Sequence, residues 1–143
     1  MLALVLGAAV AIVGFHSHAH SHGELTVRDA RGTTVTIGDW RLGNTPGQVP
    51  AVLSAGAMEL WLANTDGVAH DLVVARAAEP GSLAVQDGRG AIERIGEVLA
   101  SSEAFDPGEE ATLSFALEPG RYVLFCNQTG HYQRGMYYSF EVQ

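Results

Sequence analysis

The chain holds a single cysteine, Cys126, in 143 residues. One thiol excludes an internal disulfide. It also excludes every centre assembled from several thiolates: iron–sulfur clusters, cysteine-rich zinc sites and the binuclear copper centre that needs two cysteines. Lysine is absent, so the basic residues are all arginine. They number 8 against 16 acidic residues, which leaves a net charge of −8 and a pI near 5.0. Nothing supplies the basic face that nucleic acid requires, and the balance fits an acidic soluble protein with a cationic partner. Beyond residue 22 only two histidines occur, His70 and His131, too few to spare for a Ser/His/Asp set. There is no glycine-rich phosphate loop ahead of a helix and no His-x-Glu zinc signature. These absences argue against an enzyme.

Long apolar runs are lacking too. The longest, "MLALVLGAAVAIVGF" at residues 1–15, falls short of the ~20 residues that cross a bilayer. It suits the core of a signal peptide or a marginal membrane anchor, and Ser17–His18–Ala19 is a passable cleavage site. Either role sends residues 24–143 to the periplasm or the outside of the cell. The blander alternative is a buried N-terminal helix. Residues 16–23, "HSHAHSHG", follow as a His-rich linker carrying His16, His18, His20 and His22. Alternating histidines can capture transition metals; a flexible solvated linker is the plainer reading. Cleavage after Ala19 would leave histidine third from a free amine, a Cu(II) chelate.

What is present is one domain's worth of chain, 47% hydrophobic and rich in glycine, with 17. Residues 24–143 read as a single all-β domain. "ELTVRD" (24–29) and "TTVTIGDW" (33–40) flank a turn. "AMELWLAN" (57–64) places Leu60 and Leu62 on one face. "HDLVVAR" (70–76) is apolar in its middle, and "EATLSFALE" (110–118) alternates Ala111, Leu113, Phe115 and Leu117 against polar residues. "RYVLFCN" (121–127) is a buried-type run, and "MYYSFEV" (136–142) ends the chain. Pro107–Gly108 and Pro119–Gly120 mark turns. Short strands at this spacing predict an antiparallel sandwich or barrel. Residues 82–102 dissent. They fit a short helix with Ile92, Ile95 and Leu99 on one face, or a loop covering a sheet edge with a strand near 95–99. Tyr137, Tyr138 and Phe140 read as core and sheet residues, and Trp40 and Trp61 as packing.

The chemistry concentrates in "FCNQTGHYQRGM", residues 125–136. Cys126 ends a strand, His131 lies five residues on and Met136 five further. At strand spacing these side chains would be far apart; they converge only if 127–135 form a compact loop. Gly130 and Gly135 permit the necessary backbone geometry. Thiolate, imidazole and a weak thioether suit copper, and the trigonal His₂Cys arrangement with a long axial methionine needs a second histidine. Outside the tail only His70 remains, after the turn "NTDGVA". The candidate metal ligands are therefore His70, Cys126, His131 and Met136.

In these motifs the chain resembles the cupredoxins, the small blue copper proteins. The stretches are "GRYVLFCNQTGHYQRGMYYSFEV" and "NTDGVAHDLVV"; the loop spacing is like that of rusticyanin, auracyanin and sulfocyanin. The resemblance spans residues 24–143. It implies a Greek-key β-sandwich with one type 1 copper ion that carries single electrons. It also implies that His131 is the solvent-facing ligand, where redox partners such as cytochromes or oxidases would dock on surrounding apolar residues. One departure stands out: most members follow the first histidine with asparagine, and here it is Asp71. A carboxylate could accept the same backbone N–H bonds from the 127–129 loop, and its charge would favour Cu(II).

Three functions follow as expectations. The first is a monomeric blue copper electron carrier, free or tethered through residues 1–15. The second is a copper-delivery protein with the His-rich tail as capture arm. The third is an electron-inlet subunit of a copper enzyme. A strand-end cysteine favours the first.

Overall fold

A computed structural model describes residues 24–39, 47–48, 52–76, 81, 83–90 and 97–143. The apolar segment 1–15, the His-rich linker 16–23, Trp40 and the pair Ile92 and Ile95 lie outside the described residues.

Eleven strands are described: β1 (Glu24–Arg28), β2 (Thr34–Asp39), β3 (Gly47–Gln48), β4 (Gly56–Ala63), β5 (Val73–Arg76), β6 (Val85–Gln86), β7 (Arg89–Gly90), β8 (Val98–Ser101), β9 (Glu110–Leu117), β10 (Gly120–Phe125) and β11 (Tyr137–Val142). They form a sheet of order β2-β1-β4-β9, a sheet of order β3-β11-β10-β5-β8, and the hairpin β6-β7. The chain crosses between the two large sheets from β2 to β3, from β3 to β4, from β4 to β5, from β8 to β9 and from β9 to β10, a Greek-key sandwich. Within 82–102, Leu99 lies on β8 rather than on a helix; among the described residues there is no α-helix.

Side-chain alternation explains the layers. On β4, Met58, Leu60 and Leu62 point inward at 1–2% exposure while Glu59 and Trp61 point away. On β9, an edge strand, Ala111, Leu113 and Phe115 are half-buried against the core and Leu117 is fully buried. They face Leu72 and Val74 at β5, Tyr122 and Leu124 of β10, and Phe140 and Val142 of β11. Tyr122 and Phe140 stack at 5.5 Å. The unbroken apolar run of β10 has its own cause. Its other face, Val123 and Phe125, packs with Val73, Ala75 and Tyr132 under Leu83, Val85 and Val98. Strands covered on both sides cannot alternate with polar residues. Each fully buried side chain of this kind contributes about 1.5–3 kcal/mol.

Register places the site. Phe125, the last residue of β10, pairs with Val73 at the start of β5 and with Tyr137 at the start of β11. The segments just beyond these pairs, His70–Leu72, Cys126–Asn127 and Met136, therefore emerge together at one end of the sandwich.

Candidate metal centre

Each ligand-type side chain is fixed by backbone bonds of its own. His70 exchanges two backbone hydrogen bonds with Phe105, at 3.1 and 2.8 Å. Cys126 donates its N–H to the Met136 carbonyl at 3.1 Å, and Met136 donates to the His131 carbonyl at 3.2 Å. Between them the chain makes one turn of 3-10 helix, Tyr132–Arg134. Gly130 and Gly135 stand at φ 79° and 86°, a left-handed region that side-chain-bearing residues enter at a cost. That is how the loop doubles back within ten residues, as the spacing predicts.

Three donor atoms meet as a result. His131 Nδ1 lies 3.2 Å from Cys126 Sγ and 3.3 Å from His70 Nδ1, and Cys126 Sγ lies 3.7 Å from His70 Nδ1. The point equidistant from all three is about 2.0 Å from each, the length of an ordinary metal–imidazole bond. Among the described residues, His70, Cys126 and His131 are a group whose donor atoms lie close enough together to hold a metal ion. Cys126 and His70 are fully buried, and His131 is 9% exposed. Met136, 1% exposed, packs in the same core cluster as Cys126.

Burial dominates the electrostatics. It pushes the Cys126 thiol up to about 12, with the Asp71 charge adding to the rise. Burial lowers both histidines as well. For His70 the hydrogen bond to Asp66 works against this, and for His131 the neighbouring His70 adds to it. The cluster is thus two neutral imidazoles and a thiol, and a cation bound there would have to displace the thiol proton.

Asp71 ties the two ligand segments together. Its Oδ1 accepts the Asn127 N–H, and its Oδ2 accepts from Gln128 Nε2 at 2.9 Å. Of the backbone N–H bonds expected from the 127–129 loop, the carboxylate accepts that of Asn127, and its second partner is a side-chain amide instead.

No protein-family model matches the chain, and no curated protein does. Solved structures do. Sodium-dithionite-reduced auracyanin from the photosynthetic bacterium Roseiflexus castenholzii aligns over 70% of this chain and 86% of its own, at 22% identity and a TM-score of 0.52. Auracyanin B aligns over 69% of this chain and 76% of its own, at 20% identity and a TM-score of 0.48.

The chain has the cupredoxin fold.

Several residues around this cupredoxin-fold site escape sequence reasoning. The β6-β7 hairpin clamps the 127–130 loop from outside: Asn127 Oδ1 accepts the Gly90 N–H at 2.6 Å, Gly88 C=O accepts the Gly130 N–H at 2.7 Å, and Arg89 Nε donates to Thr129 Oγ1 at 3.2 Å. Tyr132 braces the other side, its hydroxyl accepting the Leu83 N–H at 3.1 Å. Asp66 Oδ2 lies 3.1 Å from His70 Nε2. Only the Asp–x₃–His spacing inside a turn hinted at that last contact.

Proposed function

We propose that this protein is a blue copper electron carrier. The observation that carries the reading is the convergence of His70 Nδ1, Cys126 Sγ and His131 Nδ1 around a point at bonding distance from all three. His70, Cys126 and His131 would hold the ion in a trigonal set, with the buried thioether of Met136 as weak fourth donor, the donor combination that suits copper over harder cations. Copper held there supplies one-electron exchange between Cu(I) and Cu(II). The chain's own residues keep water out and hold the donors in place, so that little rearranges when the charge changes. Cys126 must surrender its proton on loading, so loading is favoured by rising pH.

His131, at 9% exposure the least buried of the four candidate ligands, is the electron port in this reading. A redox protein such as a cytochrome or oxidase would dock over it, on a monomer. The complete burial of Cys126 and His70 supports a carrier over a delivery protein, whose cargo must leave. Residues 1–15 would act as an export signal or tether that places the domain in the periplasm or outside the cell. Among the described residues no helix is long and apolar enough to cross a membrane.

The test is a visible spectrum of copper-loaded protein. Thiolate-to-copper charge transfer should give an intense blue or green band, and Cys126→Ser should lose it while staying folded. A loaded, folded wild type without the band would sink the assignment.

A further inference from the structure

The loop between β4 and β5 is built around one contact. Asn64, 1% exposed, spends its hydrogen-bonding groups on fixing the loop. Its Oδ1 accepts the Asp66 N–H at 2.9 Å, and its Nδ2 donates to the carbonyls of Val68 and Phe105 at 2.9 and 3.1 Å. Its own backbone bonds the 108–109 turn, at 2.8 Å in both directions. The far end of the loop is held by the His70–Phe105 bridge. Between these anchors Asp66 turns its carboxylate back. Oδ1 takes the Gly67 N–H at 2.9 Å, and Oδ2 lies 3.1 Å from Nε2 of the fully buried His70.

An ionised carboxylate offers lone pairs only. A hydrogen bond between Asp66 Oδ2 and His70 Nε2 therefore requires the proton on Nε2. A neutral imidazole with its proton there has its lone pair on Nδ1, the atom that faces Cys126 and His131. We propose that Asp66 is a positioning residue that fixes the Nε2–H tautomer of His70, and so presents Nδ1 to the metal as a ready lone pair of raised basicity. The inference rests on the metal reading for its purpose but not for its geometry. A carboxylate behind a ligating imidazole orients the ring and strengthens it as a donor, and loss of such a partner typically lowers metal affinity about 10- to 100-fold.

The experiment separates the two readings. In metal-free protein, long-range ¹H–¹⁵N correlation spectra report which nitrogen of His70 carries the proton. Wild type should show Nε2–H alone. Asp66→Asn keeps a carbonyl acceptor and should keep that tautomer; Asp66→Ala should give a mixture. Zn²⁺ and Cu²⁺ affinities, from chelator competition, should then fall in order from wild type through Asp66→Asn to Asp66→Ala, the last by about 10- to 100-fold. A purely structural role would lower the melting temperature of Asp66→Ala while leaving tautomer and affinity unchanged, and that result overturns the proposal. An Nδ1–H tautomer in wild type overturns it as well. If none of the three proteins binds either ion, the metal reading fails, and the tautomer in metal-free protein still decides the role of Asp66.

Discussion

Replacing Asp71 by asparagine separates charge from hydrogen bonding at the ligand loop. The two oxygens of Asp71 accept the Asn127 N–H and Gln128 Nε2. Asparagine keeps one carbonyl oxygen for Asn127. Its amide group would meet the Gln128 amide, which can turn over and accept instead. Both bonds survive in kind, so stability should change by less than about 1 kcal/mol. The charge does not survive. Because Asn127 follows Cys126 directly, covalent geometry puts the carboxylate roughly 6 Å from the metal position. At an effective dielectric near 20, a unit charge at that distance acts on one electron with about 3 kcal/mol, a little over 100 mV. Solvent reaches the half-buried Asp71 and trims this to roughly 50–100 mV. Removing negative charge disfavours Cu(II), so the potential should rise.

Asp71→Ala is the companion. It leaves the Asn127 N–H without its acceptor, which costs about 1–3 kcal/mol, so this variant should lose stability as well as raise the potential. Spectroelectrochemical titration of loaded protein and thermal melts of metal-free protein read the two effects apart. A shift below roughly 20 mV in Asp71→Asn with an intact visible band would mean that the charge is screened far beyond a dielectric of 20. A fall in potential would refute the sign of the argument.

Other outcomes follow from the same geometry. Met136→Gln should lower the potential and Met136→Leu raise it, since the axial donor tunes the copper couple; equal potentials would remove Met136 from the site. Met58 could not replace it, because it lies five residues before Ala63 on β4, roughly 17 Å from the site end of that strand. Asn127→Ala should cost about 1 kcal/mol and speed copper loss to a chelator, because the Gly90 N–H loses its acceptor; an unchanged rate of loss would show that the hairpin does not clamp the loop. In metal-free protein the Cys126 thiol rises from 9.0 to about 12, so its contribution is full below pH 9 and shrinks by about 1.4 kcal/mol per pH unit above it. The lowered histidines contribute fully above pH 6.5 and lose that contribution as pH falls. Melts across pH should show both limbs in metal-free protein, the alkaline one missing in Cys126→Ser and both flattened by metal.

The sandwich was legible where a strand has one wet face. β4 and β9 alternate because one side of each meets solvent, and Leu60, Leu62, Leu113 and Leu117 announce their side. β10 was legible for the opposite reason, its four consecutive buried residues Tyr122–Phe125. The two-residue strands were not. β3 pairs parallel with β11, and β6 with β7; such pieces carry too few side chains to set a period, and long-range bonds hold them. The convergence of His70, Cys126 and His131 could be read because cysteine and histidine are scarce here and glycine stands just before His131 and Met136. Asn64, Asp66 and Asn127 could not, because they are ordinary turn residues whose role depends on partners such as Phe105 and Gly90, 41 and 37 positions away.

Those unread residues would bear on whether a copper ion, once bound, stays. A carrier needs donors that keep their places whichever charge the ion has, so the donors must be set by bonds that do not involve the ion. Here each of them is. His70 is held by Phe105 on its backbone and by Asp66 on its ring. Cys126 is held by the Met136 carbonyl, and His131 by its N–H to the Gln128 carbonyl at 2.9 Å. The loop that joins them is pinned from one side by Asp71 and from the other by the β6-β7 hairpin. Opening such a loop to release the ion would break several of these bonds together, each worth about 1 kcal/mol net. Moving an electron would break none of them, so in the proposed carrier the same wiring would favour fast electron exchange and slow loss of metal.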